Sequence, residues 1–456
     1  MRYILFVSLF CCFTGLAFSD TLHVPLNHLT IQDAINASVE GDTVLVSAGT
    51  YFENINFSGK NIIVTSESGP KNTVIDGNNG LSVVSFTSGE TNDAIIQGFT
   101  LTNGHASYLE GGGGVRCINN SCPTLIGNWI MENNVDTIPG GGILCKNSSP
   151  KILDNLIAKN AAGHGGGISC RTGSSPHILN NLIEDNYSYF NGGGIECTEG
   201  SAPLVEHNLI RNNSTGYAWS YGGGIYCDTG SPAHIISNRI SGNSAVHTGG
   251  GICEYGSSPV IVNNTITRNK AINHYGGGIA SIDYTSAMIS GNLVANNTAG
   301  MQGGGIYTWY TDTTTITNCT IVYNTAGTGG GGINCGAWCL DIVTNSILWG
   351  NEAPDGGEIR VGETSSPGIC NIDFSDLDGG MTKVSVQGAE FHWGTIMFTI
   401  DPGFADEQDE DYHLLHNSPV REVGSSNATG LSPNDFEDDP REAFGAVDLG
   451  ADEYHP

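Results

Sequence analysis

One tripeptide dominates the chain. Gly-Gly-Gly followed by Val or Ile recurs nine times, with the aliphatic residue at Val115, Ile143, Ile168, Ile195, Ile225, Ile252, Ile279, Ile306 and Ile333. The successive spacings are 28, 25, 27, 30, 27, 27, 27 and 27 residues. A near-constant period of this length marks stacked structural units. A chain of 456 residues would otherwise suggest several domains; here it is read as one array.

A second pattern lies inside each period: aliphatic-x-x-Asn-x-Ile-x-x-Asn, as from Val260 to Asn269. Its first asparagine recurs at Asn128, Asn155, Asn181, Asn208, Asn238, Asn264 and Asn292 and, after a turn carrying Cys319, at Asn345. Its second recurs at Asn133, Asn160, Asn186, Asn213, Asn243, Asn269, Asn297 and Asn324. Ser-Pro turns such as Ser149-Pro150 and Ser231-Pro232 divide the segments. Each period therefore predicts three short strands with alternating inward and outward residues. Three strands in about 27 residues cannot close a core alone, but coils stacked at roughly 4.8 Å can. Equivalent residues then lie above one another, and a turn asparagine can bond to the coils on either side. Helical spacing is confined to Thr30–Val39.

Composition narrows the classes. Gly numbers 65, about twice its usual share of roughly 7%. That excludes a coiled coil, and the clustering of the glycines excludes collagen. The net charge is −30, so no nucleic acid is expected as a partner, since phosphate backbones are met by basic patches.

The N-terminus reads as a signal peptide over residues 1–19: Arg2, an apolar run from Tyr3 to Phe13, then Ala17-Phe18-Ser19. No other segment approaches a membrane span, so the mature chain is expected to be exported with none. Residues 20–104 read as an N-terminal cap and first coils. Residues 105–351 hold the regular coils, and residues 352–456 the irregular last coils and an acidic module. From Asp401 onward there are 15 Asp and Glu against 2 Arg, which predicts a solvated surface.

With these repeats the chain resembles the right-handed parallel β-helix superfamily to which pectate lyases belong. The asparagine column looks like that superfamily's asparagine ladder, and the Gly-Gly-Gly-Ile and Ile-x-x-Asn pairing resembles the repeats of chlamydial polymorphic outer-membrane proteins. Thr30–Ile35, Gly41–Val46 and Ala48–Tyr51 look like the N-terminal cap and first coils of secreted bacterial β-helix proteins. Asp401–Phe404, Asp411–Leu414 and Asp448–Tyr454 look like their closing module. The resemblance implies an all-β fold: a single right-handed parallel β-helix of about 27 residues per coil with a short N-terminal capping helix. It implies no one activity, since this fold hosts lyases, esterases, epimerases and adhesins. No catalytic motif of a particular family can be carried over.

Cys117, Cys145, Cys170, Cys197, Cys227 and Cys335 each sit two residues after the repeat aliphatic, which predicts an inward stack of thiols. Cys253 is one position off. Cys117–Cys122 and Cys335–Cys339 are the local disulfide candidates.

If the glycine strand matches the sheet that bears the superfamily's substrate groove, the first and third residues after the aliphatic face that groove. The third column then reads Ile118, Lys146, Arg171, Thr198, Asp228, Glu254 (with a one-residue deletion in its strand), Ile282 and Trp309. The first includes Arg116, Glu196, Tyr226, Tyr307 and Asn334. The loop before each glycine strand walls the groove and is aromatic in the central coils: Tyr187, Tyr189 and Phe190; Tyr217, Trp219 and Tyr221; His247; His274 and Tyr275. Such rings suit sugar faces, or pack over their own coil. Lys146 joins them as a substrate-binding candidate. A lyase needs a base and a group that neutralises the neighbouring carboxylate, for which Arg171 is the candidate. Asp228 and Glu254 are candidates for catalysis and for holding Ca²⁺, or are ordinary outward residues. The function expected is that of a secreted or cell-surface protein binding extracellular polysaccharide. A polysaccharide lyase and a structural adhesin stand as alternatives.

Overall fold

The computed structural model describes residues 19–106, 111–363, 366–441 and 446–455. Residues 1–18, which carry most of the signal-peptide reading, lie outside them. The chain winds as a parallel β-helix. Three long sheets run its length, with 13 strands in the glycine sheet, 15 in the sheet that follows it in each coil and 14 in the third. Neighbouring coils pair in register: Val115 opposes Ile143, Ile143 opposes Ile168, Ile168 opposes Ile195, and so on to Ile333. Among the described residues no helix is long and apolar enough to cross a membrane.

The repeated aliphatics explain this directly. In one coil Ile168, Ile178 and Ile183, one per sheet, are all buried, and the coils' interiors merge into one apolar column. Burying each such side chain stabilises by roughly 1.5–3 kcal/mol. The cysteine stack lies inside: Cys117, Cys145, Cys170, Cys197 and Cys227 oppose one another in register, and all are buried free thiols. Cys122, Cys335 and Cys339 are also free, so the structure holds neither of the expected local disulfides.

The asparagines form two buried ladders. Asn213 is typical: its Nδ2 donates to the Ile183 carbonyl at 2.9 Å and to Asn243 Oδ1 at 3.0 Å, and its backbone N–H also donates to Asn243 Oδ1 at 2.9 Å. The first ladder ends sooner than the sequence suggests. Ser346, not Asn345, takes the next rung, its hydroxyl accepting from the Cys319 N–H at 3.2 Å. Asn345 stands one residue earlier, in the left-handed turn, with φ 53°. There it donates to Asn318 Oδ1 at 2.9 Å and accepts from the Ser425 N–H at 2.8 Å.

A fourth, seven-stranded ribbon of two-residue strands follows the second ladder, from Ala161–Ala162 to Thr325–Ala326. It accounts for the glycine triplets. Gly192 turns the chain with φ 63°, and a Cβ on Gly193 would lie 2.4 Å from the Gly223 carbonyl oxygen and 2.7 Å from the Ser214 nitrogen in the next coil. No side chain fits between ribbon and glycine strand.

The helix runs Ile31–Ala37, inside the expected span. Thr30 Oγ1 accepts from the Asp33 N–H at 3.0 Å, and the Glu53 carboxylate takes the Ile31 and Gln32 N–H groups at 2.9 Å each. Its buried Ile31, Ala34 and Ile35 close the column. At the far end, coils continue to Met397–Phe398. The chain then folds back along the flank, where Phe404, Tyr412, Leu414, Val420, Leu449 and Ala451 cover Leu293, Ala295, Val322 and Ile347. The acidic module is therefore only partly solvated. Asp406 to Asp409 are exposed, but Asp435, Asp448, Asp452 and Glu453 are buried. Asp448, Asp452 and Asp435 accept from the N–H groups of Glu422, Leu414 and Glu453 at 2.6, 2.8 and 3.1 Å, which explains their burial.

Candidate functional site

The outward face of the glycine sheet carries two unlike regions. The first lies over the strands Ile168–Arg171 and Ile195–Cys197. Glu196, outward but buried, accepts from Arg171 Nη2 at 2.9 Å and Ser169 Oγ at 2.9 Å, and its other oxygen sits 2.8 Å from His164 Nδ1. Burial pushes the Glu196 carboxyl up, but the His164 hydrogen bond and the Arg171 charge outweigh it and hold the group below its ordinary value. Arg171 also donates from Nε to Ser169 Oγ at 3.2 Å and lies 3.6 Å from Glu199. Its guanidinium is thus engaged by the protein itself.

The second region lies over the strands Ile252–Tyr255, Ile279–Ile282 and Ile306–Trp309. Here a cavity of about 460 Å³ opens, within the range of roughly 300–1,000 Å³ common for ligand sites. Tyr255, Ile282, Tyr307 and Trp309 rise from the strands, while Trp219, Tyr221, His247, Thr248, His274 and Tyr275 come from the loops. Asp283 and Glu363 add two carboxylates. The loops stack as the coils stack. His247 and His274 lie 4.0 Å apart at 22°, Trp219 sits 4.8 Å from His247, and Tyr275 lies 4.6 Å from Tyr307 at 10°. Burial first, then the neighbouring His274, pushes His247 down to about 4. A hydrogen bond to Asp283, then burial, pushes Tyr255 up to about 12.

A family model described as the right-handed β-helix region matches residues 60–240, 164–321 and 219–376. The chain belongs to the right-handed β-helix family. Among solved structures this β-helix is similar to pectate lyase Pel9A, at 15% identity and a TM-score of 0.44, over 97% of this chain and 98% of that one. It is also similar to the receptor-binding protein of bacteriophage Det7, a podoviral tailspike in a myovirus, at 12% identity and a TM-score of 0.29, over 89% and 79% of the two chains. No curated protein matches it.

On this β-helix five sequence-predicted side chains meet in the cavity: Trp219, Tyr221, His247, His274 and Tyr275. Tyr189 and Tyr217 stand beside the charged region, 5.6 Å apart, with Phe190 stacked 4.9 Å from His164. Tyr187 belongs to the ribbon, its ring lying against Gly216. Lys146 is exposed, opposite Arg171 in register. Burial raises Asp228 above its ordinary value, and one of its oxygens accepts from the Glu199 N–H at 3.3 Å.

Glu254 is a correction. Its strand has no deletion: Cys253 opposes Tyr226 on the outward face, and Glu254 opposes Cys227 inside the column. There it is buried, takes one hydrogen bond from Ser281 Oγ at 2.9 Å, and is pushed up by burial to about 8. It does not face the groove, so it cannot join Arg171 and Asp228 in catalysis there or share a calcium ion with Asp228. Among the described residues the cluster with three ligand atoms within 4.8 Å of one another is His413, Glu437 and Asp452, in the C-terminal module.

Sequence reasoning missed His164, Tyr255, Asp283 and Glu363. Tyr255 is the third residue after Ile252 once no deletion is assumed. Glu363 follows Gly356-Gly357-Glu358-Ile359, an imperfect tenth copy of the repeat whose third glycine is replaced by Glu358. Glu358 is buried and closes the second ladder, accepting from the Asn351 N–H at 3.0 Å.

Proposed function

We propose that this chain is a secreted or cell-surface protein that binds extracellular polysaccharide along the outer face of the glycine sheet, with the aromatic cavity as its main site. The observation that supports this reading is the cavity's lining of stacked, partly open rings from successive coils. Flat apolar faces suit the C–H faces of sugars, and the polar edges of Tyr, Trp and His can take hydroxyls. A larger hollow of about 520 Å³ beside the last ribbon strand has no aromatic lining and is less suited to this role. The test is binding of the mature chain to a panel of neutral and anionic polysaccharides by pull-down and calorimetry. Binding that Trp219→Ala weakens supports the reading; equal silence across the panel favours a structural adhesin.

A second reading, a polysaccharide lyase or related carbohydrate-active enzyme, draws support from His164. The buried Glu196 carboxylate holds its Nδ1, so the imidazole is oriented as a general base would be. Ultraviolet absorbance of unsaturated products, lost in His164→Ala, would establish it. Asp228 is retained as a proposed calcium ligand. A requirement for Ca²⁺ in either assay, abolished by Asp228→Asn, is the matching test.

A further inference from the structure

The cavity's ionisable groups besides its tyrosines are His247, His274, Asp283 and Glu363. Neither Lys nor Arg lines it, while Asp283 and Glu363 both do. Asp283 is close enough to raise Tyr255, and Glu363 is close enough that its charge raises Tyr275 and Tyr307, after burial. The charge of Arg360 reaches Tyr307 and lowers it, but that guanidinium lies outside the lining and is held there: its Nε lies 3.1 Å from Asp355 Oδ2, and its Nη1 donates to Asn334 Oδ1 at 3.2 Å. Ring faces carry the negative end of an aromatic quadrupole, so a cation seated over the exposed Trp219 ring or the part-exposed Trp309 ring meets the same sign. Two carboxylates on an aromatic cradle, within a chain of net charge −30, attract a cation and repel a uronate.

We infer that the cavity selects a sugar unit carrying an ammonium group, an amino or N-methylated amino sugar, over neutral sugars and uronic acids. The inference rests on the glycan-binding reading and names its ligand class. A cation over Trp or Tyr rings gains from the quadrupole, and a neighbouring carboxylate adds charge attraction, with a charge-assisted hydrogen bond where the nitrogen keeps an N–H. His247, held neutral by burial, offers no competing positive charge at neutral pH. Carboxylates also accept sugar hydroxyls, so the comparison must hold the sugar backbone constant and vary only the nitrogen.

The experiment is calorimetric titration of the mature chain with oligosaccharides of one β-1,4-linked glucosamine backbone. One is N-acetylated and one N-trimethylated, the latter cationic at every pH. Oligogalacturonate and choline are run beside them. The quaternised oligomer is expected to bind about 10-fold more tightly than the acetylated one. That preference should fall below about 2-fold in the double variant Asp283→Asn/Glu363→Gln, whose unchanged melting temperature certifies the fold. Equal binding of the two forms, or tighter binding of oligogalacturonate, overturns the ammonium inference and leaves the glycan reading standing. Binding of choline with none of the oligosaccharides overturns the amino-sugar ligand and the glycan reading together. Silence from all four also overturns both.

Discussion

Glu196 and Glu254 lie two strands apart on one sheet, and both are buried, yet they are held in opposite states. Glu196 faces outward and collects Ser169, Arg171 and His164; it stays charged. Glu254 faces inward, takes Ser281 alone, and leaves Oε1 with no hydrogen-bond partner; burial holds it protonated up to about 8. Burial is common to both, so the number and charge of the partners decides the state. The two surfaces above them differ in the same sense. The region around Glu196 satisfies its charges internally and has little left for a ligand. The region above Glu254 keeps its rings and two carboxylates turned into an open cavity.

The largest expected effect breaks the closed network. Glu196→Ala strands Arg171 and His164 beside a buried gap and should cost about 3 kcal/mol in denaturant unfolding at neutral pH. A loss under about 1 kcal/mol would mean that solvent already screens the network, and the contrast with Glu254 would fail.

The next effect is the pH dependence, which has opposite signs for the two glutamates. Glu254 has a folded value above its unfolded one, near 4.3, so its stabilising contribution is complete below about pH 4.3 and is lost as the pH rises through about 8. Glu358, pushed up to about 8 by burial, adds the same slope. Glu196 is lowered, so its contribution is present above the unfolded value and lost as the pH falls through the folded one. Glu254→Gln should therefore flatten the decline between about pH 4.3 and 8, followed by urea unfolding across that range. An unchanged slope would place the titrating group elsewhere.

A smaller effect separates the two surfaces as binding sites. Trp309→Ala should weaken glycan binding by about 10-fold, near 1.4 kcal/mol, while Arg171→Ala leaves the affinity within about 2-fold. Calorimetry showing the reverse order would move the site to the charged region. The smallest concerns Lys146→Ala, an exposed residue of the strand next to Arg171. It should change neither stability nor affinity by more than about 0.5 kcal/mol, read by melting and titration on the same samples.

What could be read from the sequence follows from stacking. Because each coil rests on the next at one strand spacing, every structural role is repeated as a residue type, and Asn213, Ile195 and Gly193 each stand for a column. The small second residue after each asparagine of the second ladder, Ala162, Ser188, Thr215 and Ala245, marks the fourth ribbon in the same way. Roles that occur once leave no column. By sequence Cys253 reads as a displaced member of the thiol stack, and the deletion that reading requires turns Glu254 outward. The registered pairing of Ile252 with Ile225 removes that deletion, and a shift of one residue in a strand exchanges its two faces.

The repeat alone is enough to dictate the β-helix, its two ladders, its inward thiols and the aromatic loops over its central coils, because a period of about 27 residues leaves few ways to bury them. It takes the folded chain to show that Asp283 and Glu363, from turns in different coils, open onto one cavity with those rings. The folded chain shows likewise that the acidic C-terminal segment folds back on the flank, with its carboxylates bound to backbone N–H groups. Both depend on where individual loops come to rest, and such contacts are made once, between residues far apart in the chain, so no repetition announces them.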